Sequence, residues 1–128
     1  MRKVIMIGCD LHDASMLLKI AVDREAPETR AVKNDPQGRK AMVADLRRAQ
    51  AEGGARVVFA YEASGLGFTL WDQLTAAGIE CHVLAPTRIE RSVKDRHRKT
   101  DERDAERILA LLRGWLLAGN ELPAVWIP

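Results

Sequence analysis

A chain of 128 residues fits one domain and is long enough to bury a real core. Its 47% hydrophobic and 30% charged residues describe a globular protein, and no apolar run approaches the ~20 residues of a membrane span. The net charge of +2 hides an uneven spread: residues 88–99 carry six Lys or Arg against Glu90 and Asp95, leaving the remainder about −2. A basic segment on a mildly acidic body points to a polyanionic partner touching one face; a solvated, mixed-charge helix or loop is the plainer alternative. With only three Trp, two Phe and one Tyr, an aromatic platform for stacking bases is not expected.

Lys3 to Asp10 is an apolar run ending in a carboxylate, which suits a strand covered on both faces. Met16–Val22 and Thr29–Val32 read as the next two strands, with turns at His12-Asp13 and Glu25-Ala26-Pro27, so the start is expected to be an antiparallel meander. The period then changes. Asp35-Pro36 is a cap followed by a proline at the first helical position, and Ala41, Met42, Leu46 and Ala49 follow at helical spacing until Gly53-Gly54. Arg56 to Tyr61 is a short buried strand ending at Glu62. Phe68 to Ala77 reads as a helix closed by Gly78, and Glu80 to Leu84 as another strand. Thr100 is expected to cap a long helix running to about Ala118, with Ala105, Ile108, Leu112 and Trp115 as its apolar stripe and Gly119-Asn120 as its stop. Residues 123–128 read as the start of a linker.

The order β-β-β-α-β-α-β-α predicts an α/β domain: a mixed five-stranded sheet with a three-strand meander, later strands joined in parallel by right-handed crossovers, and flanking helices. Cys9 and Cys81 have no CxxC partner and sit in apolar strand-like runs, so they read as small hydrophobes rather than zinc ligands or a disulfide. MRKVIMIGC has a basic head, but its apolar stretch falls short of the about 7–15 residues of a signal peptide, and a cytoplasmic location is expected.

Asp10 closes the first strand and Glu62 the fourth. Were those strands neighbours, the two carboxylates would stand side by side, and their repulsion would be relieved by a divalent cation or by a proton. Asp101 and Asp104, at i and i+3, share one edge of the last helix and can be delivered to the same strand ends. Oxygen-only ligands favour Mg²⁺ or Mn²⁺ over zinc. Two such ions about 4 Å apart activate a nucleophile and stabilise the leaving oxygen in phosphoryl transfer. Each acid also has a duller role: turn former at Asp10, solvated strand end at Glu62, and complement to the helix dipole at Asp101 and Asp104.

Four segments carry a resemblance: GCDLH around Asp10, FAYEASG around Glu62, CHVLAPTRI in the following strand, and above all KTDERDA at residues 99–105. Over essentially its whole length the chain resembles the N-terminal DEDD domain of insertion-sequence transposases related to the Piv DNA invertase, the bridge-RNA-guided recombinases. The resemblance implies a RuvC-like variant of the RNase H fold, with Mg²⁺ (or Mn²⁺) held by Asp10, Glu62, Asp101 and Asp104 as the catalytic acids. It further implies cutting and rejoining of DNA under a guide RNA, and a homo-oligomer in the full-length protein. Such proteins continue into a second domain bearing a serine nucleophile, a role for which Ser15, Ser64 and Ser92 have no claim. On this reading residues 1–122 are the domain and 123–128 lead to the next. Arg88, Arg91, Lys94, Arg96, Arg98 and Lys99 are the expected nucleic-acid-binding residues.

Competing readings are a nucleic-acid-binding relic without a working metal site and an actin- or sugar-kinase-like ATPase. Against the ATPase, His12 stands where G-x-D-x-G would place its second glycine, the one that lets phosphate approach the backbone. A dinucleotide fingerprint at Gly65-Leu66-Gly67 fails because its third glycine would fall on Leu70. His12, His82 and His97 form no ligand cluster in the sequence; His12 is expected at most beside Asp10.

Overall fold

The computed structural model describes residues 2–86, 98–125 and 127, with residues 98–100 described in backbone only. Five strands, β1 (Val4–Leu11), β2 (Ser15–Val22), β3 (Glu28–Lys33), β4 (Arg56–Glu62) and β5 (Glu80–Leu84), make one sheet in the order β3-β2-β1-β4-β5. β1 to β3 form the antiparallel meander, and β4 and β5 join in parallel, β4 directly beside β1. This mixed sheet, with its meander on one side and parallel strands on the other, is the RNase H-like arrangement that the resemblance implied.

Strand alternation sorts the side chains into two cores. Ile7, Cys9, Phe59, Tyr61, Cys81 and Val83 point to the face covered by α1 (Pro36–Gly53) and α2 (Thr69–Ala76). Met6, Val58, Ala60 and Leu84 point to the other face, where Ile108, Leu109 and Leu112 of α3 (Arg98–Ala118) cover them. β1 and β4 are apolar nearly throughout because both of their faces are covered.

Local signals decide the helix ends. The Asp35 carboxylate accepts the Gly38 N–H at 2.6 Å, Pro36 opens α1, and Gly54 closes it at φ 61°. α2 has no side-chain cap of its own; the buried Tyr61 hydroxyl accepts the Trp71 N–H at 3.2 Å from the sheet beneath. α3 departs from expectation. Its described part is helical from Arg98, so Thr100 lies inside the helix rather than capping it, and Arg98 and Lys99 are both residues that favour a helix. Beyond α3, the Ala85 N–H donates to the Pro123 carbonyl and the Val125 N–H to the Val83 carbonyl, so the stretch expected to begin a linker runs antiparallel along β5.

Candidate metal centre

Two alternate positions on β1 position the site. Gly8, Asp10 and Glu62 lie on the face that α3 covers, because they share strand parity with Met6 and Ala60. At Gly8 the helix backbone rests directly on the strand: a Cβ there would stand 2.4 Å from the Ala105 carbonyl oxygen and 2.5 Å from the Leu109 nitrogen. Asp10 lies two residues further along, about 7 Å at strand rise. Asp101 lies one turn back from Ala105, about 6 Å at helix rise. The matched steps bring Asp101 to Asp10.

Lys19 secures the same seating from β2. It pairs with Gly8 across the β1–β2 ladder. Its ammonium, 6% exposed, donates to Thr29 Oγ1 and Glu102 Oε1, both at 2.6 Å, and lies 3.3 Å from Glu106 Oε1. Burial opposes its charge, yet the hydrogen bonds it donates to Glu102 and Glu106 outweigh that and hold its pKa above the ordinary value.

The four expected acids lie on the α3 face in two groups, Asp10 beside Asp101 and Glu62 beside Asp104 through Arg107. Cys9 pairs with Tyr61, so Asp10 and Glu62 are each the next residue on adjacent parallel strands. Asp10 is 13% exposed, and its carboxyl is pushed up to about 6. Burial is the largest cause, and the charges of Asp101 and Asp104 add to it against the hydrogen bond from His12. Glu62 and Asp104 meet through Arg107: its guanidinium bonds Glu62 Oε1 and lies 3.7 Å from Asp104 Oδ1.

Two further residues, Arg107 and His12, belong to this site. Arg107 follows Asp104 at i+3, a helical spacing that would have found it. His12 reaches past Asp10: its Nε2 lies 2.6 Å from Asp10 Oδ2 and 3.2 Å from Asp101 Oδ1. Among the described residues Asp10, His12 and Asp101 each offer a ligand atom, all within 4.8 Å of one another. Burial lowers the His12 pKa, but the two carboxylates outweigh it and raise it overall.

Arg88, Arg91, Lys94 and Arg96 lie outside the described residues, and of Arg98 and Lys99 only the backbone, at the start of α3, is described. His82 is not simply strand packing. It lies 2.9 Å from Glu80 Oε2 and meets Trp115 edge-on at 4.9 Å. Both cysteines are buried and free, and burial pushes the Cys81 thiol up to about 12. Among the described residues no helix is long and apolar enough to cross a membrane.

An RNase H-like sheet with an Asp and a Glu at adjacent strand ends, faced by two Asp from one helix, defines a DEDD-type domain. Residues 7–119 match the family of IS110-type DEDD transposases, and the chain belongs to that family. It is 41% identical over 88 residues to y4qE of Sinorhizobium fredii, a candidate transposase by name, covering 66% of this chain and 21% of that protein. To the transposase of insertion sequence element IS1533 of Leptospira borgpetersenii it is 27% identical over 117 residues, 90% of this chain and 32% of the other. The chain thus spans a third or less of the length of these relatives. The RuvC structure of Thermus thermophilus aligns with 83% of this chain and 79% of its own, at 15% identity and a TM-score of 0.43.

Proposed function

We propose that this domain is the N-terminal catalytic part of a DNA transposase and holds Mg²⁺ or Mn²⁺ through Asp10, Glu62, Asp101 and Asp104 for strand cleavage and joining. The observation that carries this reading is the convergence of four carboxylates from β1, β4 and α3 on one face of the sheet. A partly buried Asp10 whose charge is disfavoured by desolvation and by two further Asp is a donor that a divalent cation suits. Bound there, the cation would supply Lewis acidity toward a phosphoryl oxygen. The chain's own residues do the rest. Gly8 and Lys19 fix α3 against the sheet, Asp10 and Asp101 face each other across that contact, and Arg107 balances the charge of Glu62 and Asp104.

In the same reading the basic segment, Arg88 to Lys99, holds nucleic-acid backbone beside the acids. Residues 1–122, with the 123–125 stretch that pairs along β5, form the domain, and a second domain further along the full-length protein supplies the serine nucleophile. A guide RNA selects the DNA sites, and the full-length protein acts as a homo-oligomer. The family membership and the motif KTDERDA support these assignments.

The test is the melting temperature of residues 1–128 with and without millimolar Mn²⁺, in the presence of DNA. Wild type is expected to gain stability with the metal, because a ligand bound only to the folded state shifts the equilibrium. Asp10→Asn is expected to lose that gain and, without metal, to be as stable as wild type or more so. A wild type indifferent to Mn²⁺ and DNA would refute the reading.

A further inference from the structure

The proposed metal site has a nitrogen donor built into it. His12 follows Leu11, the last residue of β1, and its backbone is pinned on both sides. Its N–H donates to the Ser15 carbonyl at 2.9 Å, and its carbonyl accepts from Asn34 Nδ2 at 2.7 Å. Asn34 is held in turn by Arg39, which donates to its Oδ1 at 2.8 Å. These bonds fix the turn that follows β1, and from it His12 presents Nε2 to the gap between β1 and α3, 2.6 Å from Asp10 Oδ2 and 3.2 Å from Asp101 Oδ1.

Those separations suit a shared cation. Ligands at adjacent corners of an octahedron with bonds of about 2.1 Å stand about 3 Å apart. The two His12 distances bracket that value, and the Asp10 and Asp101 ligand atoms lie within 4.8 Å of each other, so a small opening of the trio admits an ion. The ring is about half exposed, so Nε2 sits where an ion arriving from solvent would meet it.

We propose that His12 is a nitrogen ligand of the cation held at Asp10 and Asp101, and that it tilts the site toward Mn²⁺ over Mg²⁺. This rests on the metal-binding reading above and adds a donor outside the four acids. Mg²⁺ is a hard ion that takes oxygen, whereas imidazole gains more with later divalent ions. An all-carboxylate site would show little of that difference.

The experiment uses residues 1–128 loaded with Mn²⁺ and read by electron spin-echo envelope modulation, which reports nitrogen bonded to the ion. Wild type is expected to show an imidazole ¹⁴N coupling that converts to the ¹⁵N pattern when the protein is labelled with ¹⁵N-histidine. His12→Gln is expected to lose the coupling and to bind Mn²⁺ about tenfold more weakly, a loss on the scale seen when a metal site is disturbed. Its Mg²⁺ affinity should change by less than about twofold. Bound Mn²⁺ without nitrogen coupling in wild type, or coupling that survives His12→Gln, would overturn this proposal. Either result would leave the acidic site standing, with His12 reduced to a hydrogen-bond donor between two carboxylates. No Mn²⁺ binding by wild type, or binding untouched by Asp10→Asn, would overturn the acidic site as well.

Discussion

Replacing Gly8 by alanine adds one methyl group where the backbone of α3 lies against β1. The new Cβ would stand 2.4 Å from one backbone atom and 2.5 Å from another, and neither can swing away as a side-chain tip can. Ordinary contact begins about 1 Å further out, so the helix must retreat or the strand must bow. Overpacking of this kind costs about 1–3 kcal/mol. The opposing backbone puts this case at the upper end, and alanine's smaller unfolded-state entropy returns about 0.4–1 kcal/mol. A net loss of about 2 kcal/mol follows, or about 8 °C in melting temperature for a domain of this size. Urea denaturation at pH 7 is the assay, with an unchanged slope and a lower midpoint expected. Because Asp101 and Asp104 ride on the helix that moves, Mn²⁺ affinity should fall in the same variant. A change in stability under about 0.5 kcal/mol would refute the close-approach argument, since that is the scale of an ordinary surface substitution.

Lys19→Ala is expected to cost about 2–3 kcal/mol in denaturant midpoint, while Lys19→Met should cost under about 1, because Glu102 and Glu106 are half-exposed and rehydrate once the stem's volume is kept. At Glu80 burial opposes the charge, but hydrogen bonds from His82 and Arg56 outweigh it and hold the carboxyl below the ordinary glutamate range. A depressed folded-state pKa stabilises above the unfolded value and is lost as pH falls through the folded one. Wild type should therefore lose more stability than Glu80→Gln between pH 6 and about pH 3 in paired denaturation curves. Replacing Arg88, Arg91, Lys94 and Arg96 together by alanine should weaken DNA and RNA binding without sequence preference. It should also flatten the log affinity against log salt slope by about 0.9 per lost duplex contact, read by fluorescence anisotropy over a salt series.

Much of the fold could be read from periodicity because nearly every element carries its own punctuation. Asp35-Pro36 and Gly53-Gly54 bound α1, and the apolar runs in β1 and β4 announce strands buried on both faces. Thr100 looks like a cap yet lies inside α3, because the basic residues just before it are good helix formers. The four acids could be named as a set, yet what brings them together could not. Nothing in the strand around Gly8 announces the helix that lies on it, and nothing near Lys19 announces its carboxylate partners on α3. Arg107 lay at a helical interval from Asp104 but has no meaning until Glu62 stands opposite. Each of these is a contact between residues far apart in sequence, which local pattern does not encode. His12 was seen beside Asp10, but Asp101 joined it only through the packing of α3.

The pairing of residues 123–125 along β5 bears on how this sheet avoids self-association. A sheet has two rims of unpaired backbone groups, and each is a template for a foreign strand. At β3 the rim is short and carries Glu28, Arg30 and Lys33, charges that repel an incoming copy. β5 is more apolar, with Cys81, Val83 and Leu84 buried, and there the chain supplies its own covering segment through the Val83 and Ala85 hydrogen bonds. Cutting the chain before Leu122 would strip that cover and leave β5 open to strand addition. Such a truncated form should sediment as concentration-dependent aggregates while residues 1–128 stay dispersed.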